Sequence, residues 1–290
     1  LLELGANVII GDNINLGCHQ YISIGERSRI AHRCQIQESN HHFIANMSTR
    51  TVKPCTRPIS IGRGCWICNS TTLTAGATIP DFCIVASNSL VNGGKNTANW
   101  LKEIFGKHKN LENLKILDWG CGPARVIRHF PNILNNSVFF GTDYNEDSII
   151  WNKKNIKNVN FNLNSLEAKL PYENNFFDVI YGISIFTHLS EEKHLEWKKE
   201  LYRILKPEGI LLLTLQGDAF KSILTEEENK IYDNGDIIVR GKVKEGHRTF
   251  SAFHPKNYVN NLFYDMKILE HIESKNNNGN LEQDVWVFQK

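Results

Sequence analysis

At 290 residues, with 33 Lys plus Arg against 31 Asp plus Glu, the chain suits one large or two modest domains and carries no net field to draw nucleic acid or an anionic membrane. No apolar run approaches bilayer length, and the N-terminus lacks the basic-then-apolar pattern of a secretory signal. Seven cysteines, an odd count without compact secreted spacing, point to reduced thiols and a cytoplasmic chain.

The chain opens on Leu1 rather than Met and so reads as a fragment or a processed product. Six of its seven cysteines precede Asn99, where Lys53 and Lys95 are the only lysines; beyond it Lys, Asn and Glu dominate. This shift predicts two domains, residues 1–94 and 95–290, joined near the polar glycine segment Asn92-Gly93-Gly94-Lys95-Asn96.

The first domain is periodic. Aliphatic residues recur every six positions at Leu4, Ile10 and Leu16, then at Ile24, Ile30 and Ile36, and again from Ile61 through Ile67, Leu73, Ile79, Val85 and Val91. A glycine or small residue usually follows each, and another small or β-branched residue lies two before it. Three short strands per coil produce such a period and a helix does not. The pattern resembles the hexapeptide-repeat acyltransferases and covers about residues 1–94. That resemblance implies a left-handed parallel β-helix, homotrimers, and acetyl-CoA as a co-substrate. A stack of about four coils also leaves open ends that need capping or association.

Cys65-Trp66-Ile67-Cys68 has the spacing of a redox or zinc element, but no second such pair completes a four-ligand site, and no metal is expected. Cys34, Cys65 and Cys83 instead fall on the inward small position two before an aliphatic, where they would fill the coil interior.

Residues Glu38 to Pro58 break the period and carry Asn40-His41-His42-Phe43, Arg50, Lys53 and Arg57. The resemblance implies that a loop ejected from the coils carries the catalytic histidine for acyl transfer. His41 and His42 are the candidates, since imidazole titrates near working pH, and Glu38 is placed to orient either ring. The alternative is a solvated loop on a coil stack that serves only as an oligomerisation scaffold.

The second domain begins with a helical stripe, Trp100, Leu101, Ile104 and Phe105. A short apolar strand then ends at Asp118 and runs into Trp119-Gly120-Cys121-Gly122-Pro123-Ala124, with a helical pattern predicted from Val126. Glycines at such a strand-to-helix turn let a ligand lie against bare backbone and aim free N–H groups at it. A dinucleotide fingerprint needs a third glycine where Arg125 stands, and the P-loop pattern is absent. Asp118-x-Gly120-x-Gly122-x-Ala124 resembles motif I of the class I S-adenosylmethionine-dependent methyltransferases. An α/β doubly wound, Rossmann-like domain is the fold implied.

Further resemblances succeed it in order. A second strand, Val138 to Thr142, ends at Asp143, 21 residues past Gly122, about where such folds place the acid that binds ribose hydroxyls. A third strand, Asn160 to Asn164, leads to Asn164, Ser165 and Leu166 as candidate adenine contacts. Leu170-Pro171-Tyr172 and Phe176-Phe177-Asp178 resemble the family's passage into strand four, with Asp178 structural. Strand four reaches Gly182-Ile183-Ser184-Ile185 and then His188, on the carboxyl edge where ligands bind. Ser190 caps a helix whose first turn holds Glu191 and Glu192, Lys206-Pro207-Glu208-Gly209 stops it, and Ile210 to Leu215 is a buried strand.

The resemblance implies S-adenosylmethionine held by Asp118, Gly120, Cys121, Gly122, Ala124, Asp143, Asn164, Ser165, Leu166 and Gly182. His188 is the first candidate base and His254 a weaker second. Residues Thr225 to Gly246 look like a polar insertion over the active site, and the final strands, Lys267 to His271 and Val285 to Phe288, form an antiparallel hairpin. Base-methylating relatives usually carry [DN]-P-P-[FYW] after strand four, which this chain replaces with Gly182-Ile183-Ser184-Ile185. A small molecule or saccharide is therefore the expected acceptor, and nucleic acid is disfavoured. Surface-glycan tailoring is suggested only by the coil domain alongside. A dinucleotide oxidoreductase is the remaining alternative.

Overall fold

The computed structural model describes residues 1–39, 44–46, 51–53, 56–87, 90–91, 94–241, 250–274 and 281–290. Its contacts divide the chain into two compact units, Leu1–Thr97 and Ala98–Lys290.

In the first unit the chain visits three parallel sheets in rotation, each receiving every third strand. One sheet stacks Leu2–Leu4, Ile22–Ile24, Ile59–Ile61 and Thr78–Ile79, and the other two repeat the arrangement one and two strands later. In the later coils equivalent residues lie 18 positions apart, as where Trp66 pairs with Ile84. The corners between the first two sheets turn through left-handed backbone at Asn7, Arg27, Gly64 and Phe82. Ile22, Ile24, Ile30, Ile36, Ile59, Ile61, Ile67 and Leu73 fill the interior, each contributing roughly 1.5–3 kcal/mol by leaving water. Cys34 and Cys65 are buried among them, whereas Cys83 is only half-buried. In the first coil Leu4 and Ile10 remain 49% and 40% exposed.

Glu38, expected to orient His41 or His42, has described partners of another kind. Its buried carboxylate accepts from the backbone N–H groups of His19, Gln20 and Tyr21, the last at 2.6 Å. It closes a coil corner by satisfying three successive backbone donors with one carboxylate. Within the interrupted segment Ile44–Asn46 pairs antiparallel with Thr51–Lys53. His41 and His42 lie outside the described residues.

Helix α1 (Gly94–His108) precedes the second unit's sheet and buries Leu101, Ile104 and Phe105. The strands are β1 (Lys115–Trp119), β2 (Val138–Asp143), β3 (Asn160–Leu163), β4 (Phe177–Ile183) and β5 (Leu205–Leu215). A separate ribbon pairs β6 (Ile238–Arg240) with β7 (Ser251–Phe253), and β8 (Lys267–Ile272) and β9 (Asp284–Gln289) complete the large sheet. Its order is β3-β2-β1-β4-β5-β9-β8, with the first five strands parallel and β9 antiparallel to both neighbours. Helices α2 (Glu146–Asn155), α3 (Glu191–Ile204), α4 (Glu226–Asp233) and α5 (Lys256–Leu262) come in chain order. Two buried clusters, one containing α1 side chains and the other those of α3 and α5, cover opposite faces of the sheet, as its continuous apolar strands require.

Two sequence expectations change. No α-helix follows the glycine turn: Ile127–Asn132 is a 3-10 helix, and Pro131 inside it has no N–H to extend an α-helical ladder. The stretch from Thr225 is also more than a polar insertion. Helix α4 starts with a complete capping box between Thr225 and Glu228, and Phe220, Tyr232, Ile238 and Phe253 share a small core of their own.

Candidate active site

Strand order reverses at β1, with β2 on one side and β4 on the other, and crevices at such points are where open α/β sheets take ligands. The carboxyl ends of these strands open a recess of about 450 Å³, its mouth included. Gly120 from the β1 turn, Asp143 from β2 and Asn164, Ser165 and Leu166 after β3 all line it. His188, from the turn after β4, faces the same space.

The glycine turn is built by backbone that few side chains tolerate. Gly120, Gly122 and Ala124 all have positive φ, at 76°, 49° and 53°. A Cβ on Gly120 would come within 2.1 Å of Ile185 Cδ1, so the bare α-carbon is what lets the β4 segment close over the turn. The N–H groups of Gly120 and Cys121 both donate to the Thr142 carbonyl, tying the turn to β2. Gly122 N–H donates to Asp143 Oδ2 at 2.7 Å, and Asn145 N–H donates to Oδ1 at 2.8 Å. Asn152, fully buried on α2, donates its amide to the Gly122 carbonyl at 2.8 Å. Each Asp143 oxygen keeps a further lone pair for a ligand hydroxyl.

Not every sequence-derived candidate reaches the recess. Asp118 lies beneath the turn, 4% exposed, and is absent from the lining. Burial pushes its carboxyl up to about 7, the nearby Asp143 charge adds to the rise, and Arg125 opposes it. Cys121, Gly122 and Ala124 shape the turn without lining the recess. Gly182 serves packing: a Cβ there would meet the Trp119 ring at 2.7 Å. Trp119, Tyr144, Ile185, Leu189 and Trp197 line the space although sequence reading assigned them no contact. Trp119 and Tyr144 each directly follow a motif acid, and that adjacency was the available signal.

His188 is held in one tautomer. Its Nδ1 lies 2.8 Å from the Phe250 carbonyl oxygen, which can only accept, so Nδ1 carries the proton. In the neutral ring Nε2 then keeps its lone pair, the arrangement a general base requires. His254 is different. It is buried away from the recess, its Nε2 lies 2.8 Å from His194 Nε2, and burial holds its pKa well below the ordinary imidazole value. Its absence from the lining, rather than its charge state, sets it apart from His188.

A family model described as a methyltransferase domain matches residues 116–209, from β1 into β5. An uncharacterised methyltransferase of Schizosaccharomyces pombe is 28% identical over 106 residues, which are 33% of this chain and 37% of that protein's length. The chain thus matches little more than a third of this curated relative. Among solved structures, a SAM-dependent methyltransferase from Methanosarcina mazei aligns at 18% identity over 64% of this chain and 96% of that one, with a TM-score of 0.49. A candidate sarcosine dimethylglycine methyltransferase from Galdieria sulphuraria aligns at 15% identity over 67% of this chain and 85% of that one, with a TM-score of 0.50. The family model and the second of these structures give the second unit a methyltransferase-type α/β fold. Among the described residues no helix is long and apolar enough to cross a membrane.

Proposed function

We propose that the second unit is a class I methyltransferase using S-adenosylmethionine bound in the recess between β1 and β4. The observation that carries this reading is the convergence of Asp143, the bare Gly120 backbone and Asn164 on one space. Asn164 Oδ1 is buried without a hydrogen-bond partner, an acceptor suited to the amino group of an adenine. Asp143 would accept from the ribose hydroxyls, and Ser165 and Leu166 would flank the base. When bound, the cofactor supplies a methyl group already activated by its sulfonium. The chain's own task is then to orient the acceptor, exclude water through Trp119, Leu189 and Trp197, and receive a proton.

His188 Nε2 takes that proton from the hydroxyl or amine of a small molecule or saccharide, while the Phe250 carbonyl steadies the resulting imidazolium through Nδ1–H. Turnover of methyl-labelled S-adenosylmethionine against panels of small hydroxyl and amine acceptors tests this. His188→Gln should lower kcat by roughly 10²–10⁴-fold and leave cofactor affinity intact. Unchanged kcat in that variant would remove His188 from the chemistry.

The first unit reads as a left-handed hexapeptide-repeat β-helix, supported by its coil length and the rotation of its strands through three parallel sheets, its hand resting on the repeat resemblance. Its proposed role is association, in trimers. Ile9, Arg29, Trp66 and Ile84 stand in register across one outer face, and three of these, Ile9, Trp66 and Ile84, are apolar and more than half exposed. An unpartnered apolar row of this kind favours the scaffold reading. Acyl transfer from acetyl-CoA by His41 or His42 is the rival use of this unit and rests on the repeat resemblance alone.

A further inference from the structure

Ser184, the first residue past β4, sits in left-handed backbone at φ 60° although it is not a glycine. Strain of this kind persists where surrounding bonds over-determine it, and it gathers at functional sites. Here the bonds form a closed circuit whose proton directions can be assigned throughout. Ser184 N–H donates to Thr214 Oγ1 at 2.8 Å, and the Thr214 hydroxyl donates to Gln283 Oε1 at 2.7 Å. Gln283 Nε2 returns a bond to Ser184 Oγ at 2.7 Å. Thr187 Oγ1 spends its one proton on the Ser184 carbonyl at 2.8 Å, so the 2.9 Å contact between the two hydroxyls must be donated by Ser184. Each hydroxyl proton of the circuit is used once and finds an acceptor.

The circuit joins the carboxyl ends of β4 and β5 to the approach of β9, and it encloses one residue. Immediately beyond Ser184 the chain enters the site: Ile185 lies against Gly120, and the 3-10 turn Phe186–His188 delivers the candidate base to the recess. We propose that Gln283 is a positioning residue that acts through Ser184, fixing the left-handed step that aims His188. This rests on the methyltransferase reading for its purpose and on the bond circuit for its geometry. Its side chain must both accept from Thr214 and donate to Ser184, which an amide does and an isosteric carboxylate does not. In Gln283→Glu the Ser184 hydroxyl has to turn toward the carboxylate, and Thr187 loses its donor.

The test uses the full chain with isotope-labelled histidine and a long-range proton–nitrogen correlation spectrum, the His188 signals being assigned by their loss in His188→Gln. The unmodified protein should show a protonated Nδ1 and an unprotonated Nε2. Gln283→Glu should lose this distinction, the two nitrogens averaging toward one another, while S-adenosylmethionine affinity measured by calorimetry is unchanged. Ser184→Ala, which deletes the hydroxyl between Gln283 and Thr187, gives a second route to the same loss should the first variant fold poorly. A purely structural role would lower the melting temperature without touching the tautomer. A folded variant with an unaltered His188 spectrum overturns the proposal. Failure of the unmodified protein to bind S-adenosylmethionine would instead count against the methyltransferase reading, since the ring spectrum requires no cofactor.

Discussion

Asp118 and Asp143 stand at the carboxyl ends of neighbouring parallel strands, Asp118 one residue short of its own, yet depth separates their chemistry. Asp143 faces a recess with two backbone N–H groups on its oxygens, whereas Asp118 is enclosed below the turn. The folded Asp118 carboxyl titrates near 7, above the ordinary 3.8. Between those values the folded chain holds a proton that the unfolded chain lacks. Its contribution to stability is therefore complete below about pH 4 and is lost as pH rises through about 7. Asp118→Asn removes this dependence. Urea unfolding should find the variant gaining on the unmodified protein between pH 5 and pH 8, by on the order of a few kcal/mol at most. An equal difference at both pH values would show that Asp118 is not a buried, protonated group. Both acids were visible in the sequence because strand ends and glycine spacing mark them. Their unequal depth was not, since it depends on how Tyr181 of β4 and the backbone at Ile127 meet Asp118. The partner of His188 was equally hidden: Phe250 lies 62 residues away, and its contact is made by a carbonyl that no sequence pattern announces.

Among the elements, strands were the most legible. β2 occupies Val138–Asp143 as read, because a short apolar run closed by an acid has few alternatives. The helix expected after the glycine turn fails where Ala124 takes left-handed backbone and Pro131 withholds a donor. Helix α4 was missed for the opposite reason. Its polar composition hid a Thr-x-x-Glu capping signal, and both capping bonds form, Thr225 N–H to Glu228 Oε2 at 2.8 Å and Glu228 N–H to Thr225 Oγ1 at 3.2 Å. Arg240 pairs with the same glutamate, holding its carboxyl down at about 2. Thr225→Ala should cost about 1 kcal/mol in chemical denaturation and leave cofactor affinity unaltered. A loss of affinity instead would make this cap part of the binding site.

At the scale of the molecule, period six pointed to the short parallel strands of the first unit, and the resemblance carried by the glycine turn and the motifs after it implied the α/β unit. Handedness, association and any second activity need more than period six, because coil geometry is shared by catalytic and structural stacks alike. The proposed function is centred on the second unit, where Gly120, Asp143, Asn164 and His188, drawn from four separate strand ends, line one recess. The most direct measurement is calorimetric titration of S-adenosylmethionine into the full chain and into Asp143→Ala. One site per chain is predicted, weakened at least about tenfold in the variant, the worth of one charge-assisted hydrogen bond. Absence of binding to the unmodified chain, or equal affinity in the two proteins, would contradict it.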